Sequence, residues 1–272
     1  YYVGKWKDGR RDGFGFSVAP HEVVKCGVWA KGRFRGEQML YHSERIYGID
    51  ISKYQHVHKR RVYGIDWRNL RITRLGHTAD RNALGAVDYP VSFVYIKSTE
   101  GLTVFNPYYT QDVRAARRYG FPVGAYHFFS TRPAMSQADY FLKKSRLRKG
   151  DLPPMLDVEL SDRRIAAMGG RDVLFREMLV WLKEVGRRSS TTPIIYVSQD
   201  FVNRYMPFAP EELKAYPVWV ARYGEYKPYV HLLYWQLSPD GRVRGIQGDV
   251  DIDVFNGSEE QFKRYLRTQT VK

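Results

Sequence analysis

Short apolar runs alternate with longer amphipathic stretches from residue 46 to the end of the chain. Runs of this length, bounded by Gly, Pro and polar residues, are typical of buried strands, and strands that alternate with helices predict a parallel β/α arrangement. The eight candidate strands are Ile46–Ile51, Ser92–Lys97, Pro122–Phe128, Pro154–Val158, Pro193–Val197, Pro217–Ala221, Leu232–Leu237 and Asp249–Phe255.

The segments between the last three candidate strands are too short for full helices. We therefore predict an α/β fold, a modified (β/α) TIM-like barrel of eight strands with an irregular, hairpin-like last third. Helical signals are clearest in two places. Apolar residues recur at helical spacing between Asp172 and Arg187, which makes Trp181 a predicted core residue, and a capping box at Ser258 and Gln261 predicts the start of the last helix.

The beginning of the chain carries a different pattern, in which Gly4-x-Trp6 recurs 23 positions later as Gly27-x-Trp29. Aromatic and glycine residues at this spacing predict short strands joined by tight turns centred on Asp8-Gly9 and Lys31-Gly32. The pattern resembles MORN repeats, which form hairpins stacked in a row. We therefore predict two units: a MORN-like β-hairpin segment over residues 1–45, which is a small extension preceding the barrel, and the barrel itself over residues 46–272.

Composition narrows the class of protein. With 43% hydrophobic and 27% charged residues the chain is predicted to be globular, and no apolar run approaches the roughly 20 residues of a membrane-spanning helix. No basic-then-apolar leader is present, so we expect no signal peptide in this chain. Its net charge of +15 favours an anionic partner, although the basic residues are scattered. The single cysteine, Cys26, excludes an intramolecular disulfide and a cysteine-built zinc site.

Acidic residues lie at the predicted carboxyl ends of several strands, where β/α barrels form their active sites. These residues are Asp50, Glu100, Asp157, Glu159 and Asp251. One acid at a strand end is most simply a helix cap or an ion-pair partner, whereas several acids on one rim favour a shared site. We therefore expect these side chains to converge.

Asp157-Val158-Glu159 is the sharpest of these signals. In a strand, residues i and i+2 point to the same face, and at about 3.3 Å per residue their Cα atoms lie roughly 6.6 Å apart. Two carboxyl groups in one cleft raise each other's pKa, which suits glycoside hydrolysis, a reaction that needs one protonated acid and one carboxylate. This spacing leaves a retaining and an inverting outcome equally open.

Other chemistry receives less support from the sequence. His56-x-His58 has no H-E-x-x-H context and no clear third ligand, and neither G-x-S-x-G nor a phosphate-binding glycine loop is present. We therefore predict no metal and no cofactor. Aromatic residues at or near strand ends could stack on sugar rings or simply pack, and Tyr126 and Trp235 are those favoured for the cleft. The full set is Tyr126, Phe128, Tyr196, Trp219, Tyr223 and Trp235.

A set of motifs in order along the chain resembles glycoside hydrolase family 25, the Chalaropsis-type lysozymes. The match runs from about Tyr47 to Leu266. The motifs are Tyr47-Gly48-Ile49-Asp50-Ile51-Ser52-Lys53-Tyr54-Gln55, Ile65-Asp66-Trp67, Phe93-Val94-Tyr95-Ile96-Lys97-Ser98-Thr99-Glu100-Gly101, Gly124-Ala125-Tyr126-His127-Phe128, Leu156-Asp157-Val158-Glu159, Ile195-Tyr196, Val218-Trp219-Val220-Ala221, Tyr234-Trp235-Gln236 and Val250-Asp251-Ile252-Asp253.

This resemblance implies an N-acetylmuramidase that cleaves the β-1,4 bond between N-acetylmuramic acid and N-acetylglucosamine in peptidoglycan. It implies that Glu159 is the general acid and later base, that Asp157 assists the substrate's N-acetyl group, and that Asp50 and Asp251 line the same cleft. It further implies sugar contacts for Tyr126, Tyr196, Trp219 and Trp235, with Lys97 and Glu100 supporting the acids. Such a substrate places the protein outside the cell, in the periplasm or at the cell surface.

Two features depart from the family pattern. Residues 68–91 form an insertion that contains Arg68, Arg71, Arg74 and Arg81 and is expected to reshape one wall of the cleft. The N-terminal segment lies outside the family's catalytic domain, and we expect it to contact the barrel, a partner protein or the wall. The competing function is a wall-binding protein that holds glycan without cleaving it. Nucleic-acid binding rests on charge alone and is not predicted, because no recognition fold accompanies it.

Overall fold

The computed structural model describes residues 2–17, 25–37, 45–58, 60–77, 82–83, 86–221 and 230–272. The N-terminal residues form a separate antiparallel sheet of four strands: β1 (Tyr2–Lys7), β2 (Arg10–Ser17), β3 (Lys25–Ala30) and β4 (Arg33–Glu37). Both predicted turns are confirmed, because Asp8, Gly9, Lys31 and Gly32 all have the positive φ angles that such turns require.

Eight strands close a barrel, as the sequence predicts. Their order around the barrel follows the chain, and the neighbours from the first to the seventh pair in parallel. The strands are β5 (Ile46–Ile51), β6 (Val94–Glu100), β7 (Val123–Phe128), β8 (Met155–Val158), β9 (Ile194–Ser198), β10 (Pro217–Ala221), β11 (His231–Arg244) and β12 (Val250–Phe255). β12 runs antiparallel to both β11 and β5, which gives the barrel its hairpin-like last third.

The helices among the described residues are α1 (Tyr109–Arg118), α2 (Ala134–Ser145), α3 (Asp162–Ala167), α4 (Arg171–Ser189), α5 (Gln199–Arg204), α6 (Glu211–Lys214) and α7 (Glu259–Thr268). The first six lie between strands in the chain, and α7 follows the last strand. Short 3-10 turns occur at Lys53–Gln55, Trp67–Asn69 and Met206–Phe208. Two sequence predictions are confirmed: Trp181 of α4 is fully buried, and Ser258 and Gln261 form the capping box of α7.

Alternation along each strand produces two cores. Side chains that point outward pack beneath the helices, and those that point inward build an aromatic layer inside the barrel. The inward layer is held by ring contacts such as Trp219 stacked on Tyr234 at 4.8 Å between centroids. Phe262 of α7 joins this layer. Further toward the carboxyl ends of the strands, the inward-facing residues change from aromatic to polar, and this second layer forms the candidate site.

The insertion after Trp67 adds strands outside the barrel. Arg71–Arg74 pairs with Tyr89–Pro90 on one side and with the far end of β11 on the other, so β11 serves the barrel with its first half and this extension with its second. Within the insertion, Gly76–His77 also pairs with Asn82–Ala83. Two further short pairings lie elsewhere in the chain: Val57–His58 pairs with Arg61–Val62, and Val104–Phe105 pairs with the end of β6. Arg81 lies outside the described residues.

Gly48 on β5 has a packing role that can be tested. A Cβ at this position would lie 2.2 Å from the ring of Phe93, which is fully buried in the aromatic layer. We expect Gly48→Ala to lower the free energy of unfolding by about 1–3 kcal/mol, the usual cost of overpacking a core, as measured by the midpoint of urea denaturation. Gly64→Ala is the matched control, because no atom lies within 4 Å of its added Cβ. Equal midpoints for the two variants would contradict this reading.

Candidate active site

Four carboxyl groups meet in the polar layer at the carboxyl ends of the barrel strands. Asp50 on β5 lies directly opposite Asp251 on β12 in the antiparallel register, and Asp157 on β8 and Glu159 just after it complete the group. The hydroxyl of Tyr196 reports their convergence: burial raises its pKa well above the usual value, and all four carboxylates raise it further. The structure therefore brings together the four acids that the sequence predicted.

Three of these acids have lost most of their contact with water. Burial, followed by the charges of its neighbours, raises the pKa of Asp251 to about 9. Burial also raises the pKa of Asp50 to about 7, with a further rise from Glu159 and an opposing effect of the Tyr126 hydroxyl. The pKa of Asp157 is raised well above its usual value by burial and then by Glu159 and Asp50. The cluster therefore retains protons at neutral pH instead of carrying four negative charges.

Glu159 differs from these three because it is exposed at the rim. Reduced hydration in the cleft still raises the pKa of its carboxyl, and Lys97 lowers it again in part. Of the four acids, Glu159 combines a raised pKa with the greatest access for a ligand. This combination is the one that a general acid needs.

Lys97 and Glu100, both on β6, lie next to the four acids. The Lys97 ammonium donates to Glu100 Oε2 at 2.7 Å and rests 4.4 Å from the centre of the Phe128 ring. It lowers the pKa of both Asp157 and Glu159. Lys97 thus supplies positive charge beside a group of carboxyls, while Glu100 fixes its position.

Two tyrosines form part of the floor of the site. Tyr126 donates to Asp50 Oδ1 at 3.4 Å, and Tyr196 donates to Gln236 Oε1 at 3.3 Å. Gln236 in turn donates from Nε2 to Asp251 Oδ1 at 2.7 Å. These bonds link β7 to β5, and β9 to β11 and β12, and they hold Asp50 and Asp251 in position. The sequence motif Tyr234-Trp235-Gln236 contained this glutamine, but its charge-neutral side chain gave no reason to select it.

The two predicted tryptophans are not brought to the cleft. Trp219 points into the barrel but is fully buried in the aromatic layer below the acids. Trp235 is 1% exposed and packs in the outer core, because it lies on the opposite face of β11 from Gln236. His127 likewise faces outward from β7, bonded to Thr99 and Gln137, and burial lowers its pKa to about 4.

Asp253 is an acid that the sequence analysis quoted but did not select. It is fully buried one alternation below Asp251, and neither carboxyl oxygen has a described partner in good hydrogen-bonding geometry. Burial and the charges of Asp50 and Asp251 raise its pKa well above the usual value, whereas the nearby Trp219 indole N–H and Asp50 backbone N–H lower it only in part. The sequence signal that could have found Asp253 is its spacing of two residues from Asp251, because residues i and i+2 of a strand point to one face.

A turn at the end of β5 forms one edge of the site. Ser52 and Gln55 make a capping box around Lys53–Gln55, and Gln55 Nε2 donates to the carbonyl of Asp249 at 3.1 Å, which ties this turn to the start of β12. Tyr54 on the turn is 67% exposed. It is an accessible aromatic ring four residues after Asp50 in the chain, unlike the two buried tryptophans.

The chain is similar in sequence to a known family and to several of its members. The family model described as glycosyl hydrolases family 25 matches residues 49–246. The chain is 33% identical over 228 residues to the uncharacterized protein YegX of Escherichia coli O6:H1, which covers 82% of this chain and 74% of that one. It is 28% identical over 229 residues to lysozyme M1 of Streptomyces globisporus, which covers 78% of this chain and 68% of that one.

Solved structures share the fold. The bacterial lysozyme from Streptomyces coelicolor superposes with a TM-score of 0.64 at 26% identity and covers 81% of this chain and 96% of its own. A family 25 glycosyl hydrolase from Bacillus anthracis gives a TM-score of 0.63 at 22% identity, with 91% of this chain and 99% of its own covered. At that identity the second likeness establishes the barrel fold alone. Within the described residues, no helix is both long and apolar enough to span a membrane.

Asp251 provides a test of the desolvated acids. An acid whose pKa is higher in the folded than in the unfolded chain binds more protons when folded, so its contribution lowers stability as pH rises from about 4 to about 9. Asp251→Asn keeps an acceptor for Gln236 but cannot ionise. We expect it to raise Tm at pH 8 by about 2–4 °C, corresponding to roughly 1 kcal/mol, and to have little effect at pH 4.

The measurement is thermal unfolding followed by circular dichroism across this pH range. Glu260→Gln, on the exposed surface of α7, is the control and should leave Tm nearly unchanged throughout. A Tm difference for Asp251→Asn that is the same at pH 4 and pH 8 would show that ionisation of Asp251 does not limit stability.

Proposed function

The chain belongs to glycosyl hydrolase family 25, and from this premise we propose that it is a lysozyme, an N-acetylmuramidase that hydrolyses the β-1,4 bond between N-acetylmuramic acid and N-acetylglucosamine in peptidoglycan. One observation carries the proposal: an accessible glutamate with a raised pKa lies with two buried carboxyls and a partly buried one, whose pKa values are also raised, at the active-site end of a barrel. The relative named lysozyme M1 supports the same activity.

In the proposed reaction, Glu159 donates its proton to the glycosidic oxygen as the bond to the anomeric carbon breaks. The N-acetyl carbonyl oxygen of the same sugar closes onto that carbon, and Asp157 accepts a hydrogen bond from the acetamido N–H. Glu159, now ionised, then removes a proton from a water molecule, which attacks the anomeric carbon and opens the five-membered ring that the N-acetyl oxygen had closed. One water is consumed, and Glu159 regains the proton that it gave.

The surrounding residues have positioning roles in this proposal. Asp50 and Asp251 accept hydrogen bonds from the floor of the cleft, and their raised pKa values, about 7 and about 9, limit the negative charge near Glu159. Tyr126 and Tyr196 present their hydroxyls beside the acids. Tyr54 is the accessible ring for stacking on a sugar, a role that the sequence analysis gave to Trp219 and Trp235.

Membership of this family also supports proposals for where the protein acts and for how the chain is divided into units. Peptidoglycan lies outside the cytoplasm, so the proposed site of action is extracellular, periplasmic or at the cell surface. We also propose a division into a MORN-like segment at residues 1–45 and a catalytic barrel at residues 46–272. Among the described residues, the first four strands pair only with each other, which supports this division.

Replacement of the proposed general acid is the direct test of the function. We expect Glu159→Gln to lower kcat by roughly 10²–10⁴-fold, the usual contribution of general acid–base catalysis, without loss of fold. Purified peptidoglycan is digested with each protein, the products are reduced with borohydride, and mass spectrometry identifies the new reducing ends. Reduced muramic acid ends from the wild-type protein identify a muramidase.

Glu212→Gln, which removes an exposed carboxyl that pairs with Lys183 on the helical surface, is the matched control and should retain activity. Wall binding without cleavage by the wild-type protein would instead favour a non-catalytic glycan-binding protein. Reduced N-acetylglucosamine ends would overturn the assignment of the bond.

Lys97 should set the alkaline limit of activity. Glu159 must be protonated to act as an acid, so kcat/KM falls as pH rises through its pKa, which Lys97 holds down in part. Lys97→Met removes that effect and also leaves Glu100 without its cation. We therefore expect the alkaline limb of the pH profile of kcat/KM to move to higher pH. Lys143→Met, on the exposed surface of α2, should leave the profile in place, and an unmoved or acid-shifted limb for Lys97→Met would refute this role.

A further inference from the structure

Trp6 in the N-terminal sheet is the exposed exception among the six tryptophans of the chain. Its side chain is 58% exposed, whereas Trp29, Trp67, Trp181, Trp219 and Trp235 are between 0% and 6% exposed. A large flat ring left in water at the surface of a small sheet needs a reason, because burial of such a ring is among the largest apolar gains available to a fold.

Trp6 belongs to an aromatic face that we define as Tyr2, Trp6, Trp29 and Phe34. The Tyr2 ring meets Trp6 edge-on at 5.2 Å between centroids and Trp29 at 5.0 Å, and Trp29 meets Phe34 at 4.6 Å. This packing buries Trp29 and fixes the others. The exposed ring of Trp6 is thereby held on a rigid support.

Two glycines keep this face flat. A Cβ at Gly15 would lie 2.3 Å from the Tyr2 hydroxyl oxygen, and one at Gly4 would lie 2.6 Å from the same atom. Gly4 and Gly15 lie opposite each other on β1 and β2, so the Tyr2 ring lies across both strands. Gly4, which belongs to the repeated sequence pattern, and its neighbour Gly15 thus make room for the Tyr2 ring of the aromatic face.

The sheet is cationic, and one cation lies on the aromatic face itself. Residues 2–37 carry eight Lys and Arg against four Asp and Glu. The guanidinium carbon of Arg11 lies 5.0 Å from the centre of the Tyr2 ring, and Arg11 is opposite Trp6 in the strand register. An exposed ring beside a guanidinium matches a ligand that has both an apolar ring face and a carboxylate.

We propose that the aromatic face binds the glycan strand of peptidoglycan, with Trp6 stacked on the C–H face of a sugar ring and Arg11 paired with a carboxylate of the attached peptides. This inference rests on the proposed function for its choice of polymer. A membrane surface fits less well, because the exposed apolar area is about one ring in size and lacks the extended apolar face that interfacial insertion uses. The N-terminal sheet then holds the enzyme on its polymeric substrate.

The binding experiment uses the full chain in the Glu159→Gln background, so that the polymer is not digested. Sedimentation with insoluble peptidoglycan, stripped of covalently attached polymers, gives Kd for each variant. We expect Trp6→Ala to bind about tenfold more weakly, since one aromatic contact is removed, and Trp6→Phe to recover most of the affinity. Phe208→Ala is the matched control, because Phe208 is also 58% exposed but lies outside the sheet, and it should bind as the parent does.

Fluorescence gives a second measurement on the same proteins. Because the other five tryptophans are buried, acrylamide should quench mainly Trp6, and soluble glycan fragments should protect it. That protection should be absent in Trp6→Ala. The proposal would be overturned if folded Trp6→Ala sedimented with peptidoglycan as the parent does, or if glycan fragments did not alter the quenching. It would also be overturned if Trp6→Ala lost binding to phosphatidylglycerol vesicles but kept its binding to peptidoglycan.

Activity separates this proposal from the proposed function. With Glu159 intact, Trp6→Ala should cleave short soluble muropeptides at the wild-type rate and insoluble peptidoglycan more slowly. If the wild-type protein cleaves neither substrate while Trp6→Ala still loses wall binding, the muramidase assignment fails and the binding face stands. If both proteins cleave the two substrates at equal rates and bind equally, the binding face fails and the muramidase assignment stands.

Discussion

The loss of hydration around a group of carboxyls is the constraint on which the rest of this structure depends. Asp50, Asp157, Asp251 and Asp253 are held inside a closed barrel, above a layer of aromatic rings that offers them few hydrogen-bond donors. Water would stabilise their ionised forms, and the barrel replaces that water with hydrocarbon and with other acids. Protons therefore stay on the cluster at a pH where free carboxylic acids have lost them.

The barrel makes this possible through the order of its two inner layers. Phe93, Tyr95, Trp219 and Tyr234 fill the lower layer, and close contacts at Gly48 and Gly124 let the Phe93 and Tyr95 rings lie flat against the strands. The packed rings keep water out from below and supply the apolar burial that offsets the cost of the acids above. The acids of the upper layer, for which we propose catalytic and positioning roles, and the apolar packing of the lower layer thus come from the same strands.

Much of this arrangement could be predicted from the sequence, because alternation and strand ends are local signals. The eight strands, the capping box at Ser258 and the convergence of the four acids all follow from patterns within a few residues. The tryptophans could not be placed in the same way. Trp235 is one residue from Gln236, and which of the two faces the cleft depends on the register of β11 against β12, a contact made between distant parts of the chain. The pattern Asp251-x-Asp253 puts the two side chains on one face, but it does not reveal that Asp253 is fully buried, and Asp253 was therefore not selected.

The exposure of Glu159 matters because the neighbouring acids have little contact with water. A glutamate in open water would be ionised at neutral pH, and one buried as deeply as Asp157 could not reach a polymer. Glu159 lies between these extremes, since it directly follows the short strand β8 and is exposed at the rim, while reduced hydration in the cleft still raises its pKa. Lys97 lowers that pKa in part, so the cleft and this ammonium together set how readily the proton is given up. The role proposed for this glutamate therefore depends on the poorly hydrated cleft in which it lies, and the same loss of hydration destabilises the ionised acids beneath it.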